Sequence, residues 1–155
     1  MLHIKLCLMK KYADIFTLTV VLLSLVSDMQ AAIYNATTSG NFSSTSTWQG
    51  GVVPPTPLNA NDVIISSGVT VTLDQNLVLN SSFSLLQVYG TGKIISIGSH
   101  YIALNAGNAT GDAQSVIDVD SVHIGSATLQ FYGNIIANKI TLNNADIPNP
   151  ATITF

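Results

Sequence analysis

The 155-residue chain contains no arginine and no glutamate, one cysteine and one tryptophan. Charged residues make up only 8% of it, and the formal net charge is −3. Three of the five lysines, Lys5, Lys10 and Lys11, precede a hydrophobic run near the N-terminus. Beyond Ala32 only Lys93 and Lys139 remain, against Asp62, Asp74, Asp112, Asp118, Asp120 and Asp146. A nucleic-acid binder must supply cations that displace counterions from phosphate, so no nucleic-acid partner is expected. The same shortage argues against a peripheral module held to anionic lipid by basic residues. Cys7 lies ahead of the hydrophobic run. The rest of the chain has no thiol for a disulfide, a thiolate metal site or a cysteine nucleophile. An exported chain of this kind is held by its core and its backbone ladder.

Recognisable catalytic spacings are missing too. There is no His-x-His, no His-Glu-x-x-His, no nucleophile elbow and no dinucleotide fingerprint. Gly90-Thr91-Gly92-Lys93 lacks the spacing of a phosphate loop and reads as a turn. Neither a metal nor any other cofactor is expected.

What is present begins with a targeting pattern. Lys10 and Lys11 form a positive region, Ile15 to Val26 an apolar one, and the small residues Ala31 and Ala32 follow. The apolar run falls short of the roughly 20 residues that span a bilayer. Residues 1–32 are therefore expected to be a cleaved signal peptide. The mature protein would be secreted or at the cell surface and not integral to the membrane. Residues 33–47 are small, polar and without period, an expected lead-in or first edge turn. Asn35, Asn41, Asn80 and Asn108 head Asn-x-Ser/Thr triplets, which a chain this rich in Asn, Ser and Thr produces by composition.

After Asp62 the apolar pattern has period two. Val69/Val71/Leu73, Leu77/Leu79, Ile117/Val119, Val122/Ile124, Ala127/Leu129/Phe131 and Ile140/Leu142 are expected to face inward. Between Val119 and Val122 the inward set changes from odd to even numbers, for which a corner or bulge at Asp120-Ser121 is the simplest explanation. Four segments share an apolar-x-apolar-Asn/Gly form and end at Asn80, Asn105, Gly125 and Asn143. Repeats spaced about 20 residues apart, as these are, mark stacked architectures. Asn at successive corners can join its side-chain amides into a ladder. The expected class is all-β, a parallel β-solenoid. A β-sandwich is the alternative, disfavoured because the Asn-Gly and Asp-Gly hairpin turns are missing.

Thr47-Trp48, Gly50-Gly51, Pro54, Asn61-Asp62-Val63-Ile64-Ile65 and Gly68-Val69-Thr70-Val71-Thr72-Leu73 resemble the N-terminal segment of bacterial secreted right-handed β-helix proteins. They are also similar to the glycine-rich, eight-glycine domain of cell-surface proteins. The resemblance covers Ser44 to Asn80, and beyond that only as a generic texture. It implies a right-handed β-helix over 48–155 and an extracellular protein engaged in adhesion or polysaccharide contact. Such proteins are usually far longer, so a fragment or a minimal relative is expected.

Four residues are candidates for ligand contact. Trp48 is expected to cover the open end of the first coil, helped by Pro54, Pro55 and Pro57, which cannot extend a ladder. Sugar stacking is its alternative role. Asp118 and Asp120 are two apart on one strand, with His123 outward after the corner. Paired carboxylates suit a cation or the acid and base of glycoside hydrolysis, but with no Arg or Glu nearby they read as solvated side chains. Asp62 is expected to accept N–H bonds in its own turn, and Asp112 to be a turn residue. Thr70/Thr72 and Thr152/Thr154 would suit ordered water only if nearly every coil repeated the pair, and the strands between do not. Ala151 to Phe155 is still strand-like, so a continuing chain or a neighbouring protein is expected to cover that end. The expected function is a structural or adhesive surface module contacting polysaccharide, not an enzyme. The alternative is an incomplete or non-catalytic part of a polysaccharide-degrading β-helix enzyme.

Overall fold

The computed structural model describes residues 31–142 and 152–154. The leader expected over residues 1–32 thus lies, apart from its last two residues, outside the described residues.

Among the described residues eleven strands form one curled sheet. They are β1 (Ile33–Ala36), β2 (Gly40–Asn41), β3 (Asp62–Ile65), β4 (Thr70–Leu73), β5 (Leu77–Leu79) and β6 (Leu85–Val88). The later ones are β7 (Lys93–Ser96), β8 (Tyr101–Gly111), β9 (Val116–Phe131), β10 (Asn134–Leu142) and β11 (Thr152–Thr154). Every ladder between named strands is parallel. A sandwich of hairpins needs antiparallel neighbours, so this pairing goes against that alternative.

Strands consecutive along the chain do not pair until β8 meets β9; instead the chain returns to three columns in turn. One column runs β1, β3, β6, the end of β8 and the end of β9. A second runs β2, β4, β7, the starts of β9 and β10, then β11. The third joins β5, the start of β8, the middle of β9 and the end of β10. Thr70 pairs with Lys93 and Lys93 with Val116, two equal steps along the chain, and the next step, Val116 to Asn134, is shorter.

This register lines like residues up along the inside. Val71, Ile94, Ile117 and Ile135 form one buried row, and Leu79, Leu104 and Ile124 another. All belong to a single apolar cluster, and each fully buried Leu or Ile contributes about 1.5–3 kcal/mol. Where the row Ile65, Val88, Gly111, Phe131 reaches its largest member, the residue below it is smallest. A Cβ on Gly111 would collide with the Phe131 ring.

The corner expected at Asp120-Ser121 is present, since Val119, Ser121 and Val122 are all buried within continuous β9. A second change of parity, at Gly125-Ser126, returns the inward set to Ala127, Leu129 and Phe131. Two expectations change. The polar lead-in supplies β1 and β2, and its Ala36 and Phe42 are buried in the common core. Leu142, expected inward beside Ile140, is 53% exposed. Among the described residues its half of β10 pairs with β9 alone.

Candidate functional site

Trp48 lies beside the first strands and is 3% exposed. It bridges Ala36 in antiparallel fashion and meets Phe42 edge to face at 5.2 Å. Its indole N–H donates to the Phe42 carbonyl at 2.8 Å. The ring therefore presents no open face on which a sugar could stack, and its polar edge already has a partner.

Asp118 and Asp120 share an open groove of about 430 Å³, lined also by Ile95, Ser96, Ile136 and Asn138. The β7–β9–β10 register sets Asp118 between Ile95 and Ile136. Asp120 is held on two sides. Its backbone N–H donates to Ser96 Oγ at 3.0 Å, and its Oδ1 accepts from Asn138 Nδ2 at 3.1 Å. None of the residues lining this groove is a base or a third acid. The two carboxylates can take up a cationic or hydroxyl-bearing ligand, and the Ser96 hydroxyl stands beside them.

His123 is not brought to that pair. The corner at Ser121 turns it onto the third column, into a shallow hollow of about 360 Å³ with Val78, Tyr101, Ala103 and Asn105. There its ring meets Tyr101 edge to face at 5.3 Å, and Ser121 Oγ lies 3.4 Å from Nε2. The lining sets the apolar Val78 and Ala103 beside the polar ends of Tyr101, Asn105 and His123. Among the described residues no three His, Cys, Asp or Glu side chains converge in a way that could hold a metal ion.

The remaining aspartates tie neighbouring layers together. Asp62 accepts from the Leu85 N–H at 3.1 Å, a bond across to β6 and not within its own turn as expected. Burial pushes its carboxyl above the ordinary value, against the opposing pull of that bond. Burial also pushes Asp74 up, but its carboxyl ends below the ordinary value. The Ser43 hydroxyl and N–H, its own N–H and the charge of His100 outweigh the burial. Asp112 is the turn residue expected, its carbonyl accepting from Ser115 N–H and its carboxylate from Gly90 N–H at 2.6 Å.

The register also shows which residues separate the two threonine pairs. Thr70 and Thr72 stand in one column with Lys93 and Ile95, Val116 and Asp118, Asn134 and Ile136, then Thr152 and Thr154. The residues between the two pairs are not threonines, and the array stays broken. Asn138 and Tyr101 join the candidate site although nothing in the sequence singles them out. Asn138 follows Asp120 by the same step that relates Val116 to Asn134, a signal visible only once the register is known.

The chain matches no family model, no curated protein and no solved structure.

Proposed function

We propose that the chain is a right-handed parallel β-helix with an N-terminal cap. In this reading it is an exported structural or adhesive module of the cell surface that contacts polysaccharide and catalyses nothing itself. The observation that carries the proposal is the repeated return of the chain to three parallel columns. Its steps are those of a stacked repeat, roughly 20 residues each. Parallel crossovers of this kind are right-handed in about 98% of cases. Trp48, buried against Ala36 and Phe42 beside the first strands, fits the cap. Such a stack carries a rigid outer surface on which side chains recur at strand spacing, a form matched to repeating polymers. Lys10, Lys11 and the run Ile15 to Val26 support export. The exposed Leu142 suits a neighbouring protein packed against that end.

A panel of neutral and anionic polysaccharides tests this reading, with retention and release of reducing ends measured together. Retention without cleavage is expected. The second reading, an incomplete part of a polysaccharide-degrading β-helix enzyme, draws on Asp118 and Asp120 sharing one groove. Cleavage abolished by Asp118→Asn and Asp120→Asn would establish it and overturn the first.

A further inference from the structure

A short sequence recurs at equivalent places in the sheet. Leu86-Gln87-Val88-Tyr89-Gly90 and Leu129-Gln130-Phe131-Tyr132-Gly133 share the form Leu-Gln-x-Tyr-Gly. Both lie in the first column, where Leu86, Ala109 and Leu129 are in register, as are Val88, Gly111 and Phe131. The layer between them carries Ala109-Thr110-Gly111-Asp112 in the same positions.

Packing explains three of the five residues. The Leu and the Val or Phe are buried. The closing glycines are set by the turn, since Gly90 has φ of 51° and a Cβ on Gly133 would collide with the Ser115 carbonyl oxygen. Packing explains neither the glutamines nor the tyrosines. Gln87 and Gln130 alternate outward, and Tyr89 and Tyr132 are 43% and 56% exposed. Tyr132 N–H donates to Gly111 O and Asp112 N–H to Val88 O, which keeps Tyr89, Asp112 and Tyr132 aligned along one corner.

We infer that these two Gln–Tyr pairs form a platform for an extended neutral polysaccharide. The inference rests on the polysaccharide reading above. Two strand spacings separate the tyrosines, roughly 9.5 Å at the backbone, so every second sugar ring of one extended chain laid along the corner meets an aromatic side chain. Each ring offers an apolar face to the sugar and a hydroxyl to its rim. The neighbouring glutamine offers an amide that both donates and accepts. Between the pairs, Thr110 stands in register with Gln87 and Gln130, and its Oγ1 is the one buried side-chain polar atom without a partner among the described residues. Asp112, the acid of this corner, is bonded to Gly90 N–H. The described residues hold five aspartates against two lysines, a balance that repels a polyanion.

Affinity electrophoresis of the full chain through gels holding a neutral β-glucan, xylan or mannan, or an anionic pectate, tests the platform. Retardation by at least one neutral polymer is expected. Tyr89→Ala and Tyr132→Ala should each weaken it about tenfold or more and the double variant abolish it, because linked contacts reinforce one another. The thermal midpoint should stay unchanged, as both rings are exposed. Tyr89→Phe and Tyr132→Phe keep the rings and should keep most of the retardation, a check independent of any stability loss in the alanine variants. If the wild type binds a neutral polymer and the alanine variants bind it equally, the platform is wrong and the polysaccharide reading stands. Binding to pectate alone also overturns the platform and leaves that reading intact. If the wild type binds none of the polymers, both fail.

Discussion

The side-chain amide of Asn105 donates to Asn80 Oδ1 at 2.8 Å, joining two turns of the chain. The two follow Leu79 and Leu104, which pair in register, so the bond forms one rung of an amide ladder on the outside of a buried leucine row. The next position in that register follows Ile124 and is Gly125, and the ladder stops there.

Asn105→Ala should lower stability by about 0.5–1 kcal/mol, the net worth of one such hydrogen bond. That is a fall in Tm of about 2–4 °C, readable by circular dichroism. Gly125→Asn should not extend the ladder. Its Cβ would lie 3.0 Å from the Asn105 carbonyl oxygen and 3.2 Å from the Asn105 Cα, too close without a backbone shift. A variant more stable than the wild type would show that the backbone yields and the ladder continues.

Trp48→Ala should be the most damaging single change near the first strands. It empties the site beside Phe42 and Ala36 and removes the indole bond to the Phe42 carbonyl. Truncating a buried aromatic of this size costs about 3–5 kcal/mol. A thermal midpoint within a few degrees of the wild type, together with lost glycan retention, would return Trp48 to the ligand and overturn its packing role.

The ladder is legible in the sequence because it depends on spacing. The intervals separating Asn80, Asn105, Gly125 and Asn143 match the pairing of Leu79 with Leu104, Leu104 with Ile124 and Ile124 with Leu142. The corner at Asp120-Ser121 is legible for a similar reason, since a change of inward parity has few other causes. What stays hidden depends on neighbours distant in the chain. Ile33 to Ala36 is too short to announce a strand, and becomes one because β3 presents a parallel edge to it. The separation of His123 from Asp118 and Asp120 follows from how far the chain turns at the corner, which alternation does not encode. Leu142 has the right parity for burial but lacks a described layer above it.

Asp74 and Asp62 should respond to pH in opposite senses. Burial raises the Asp74 carboxyl, but the Ser43 hydroxyl and N–H, its own N–H and the His100 charge outweigh it, so its folded pKa lies below the ordinary value. A depressed carboxyl contributes stability that is present above the unfolded pKa and lost as pH falls through the folded one. Asp74→Asn and Ser43→Ala should therefore both destabilise at about pH 7 and show a smaller effect at about pH 3, where protonation has begun. For Asp62 burial prevails over the Leu85 N–H and the folded pKa is raised. Its contribution is present below the unfolded pKa and lost as pH rises through the folded one. Asp62→Asn keeps an oxygen to accept from Leu85 and sheds the charge, so it should be neutral to stabilising at about pH 7. Solvent screening keeps both effects small, and urea midpoints at the two pH values resolve them. A destabilised Asp62→Asn with an unaffected Asp74→Asn at neutral pH would reverse the assignment of the two carboxyls.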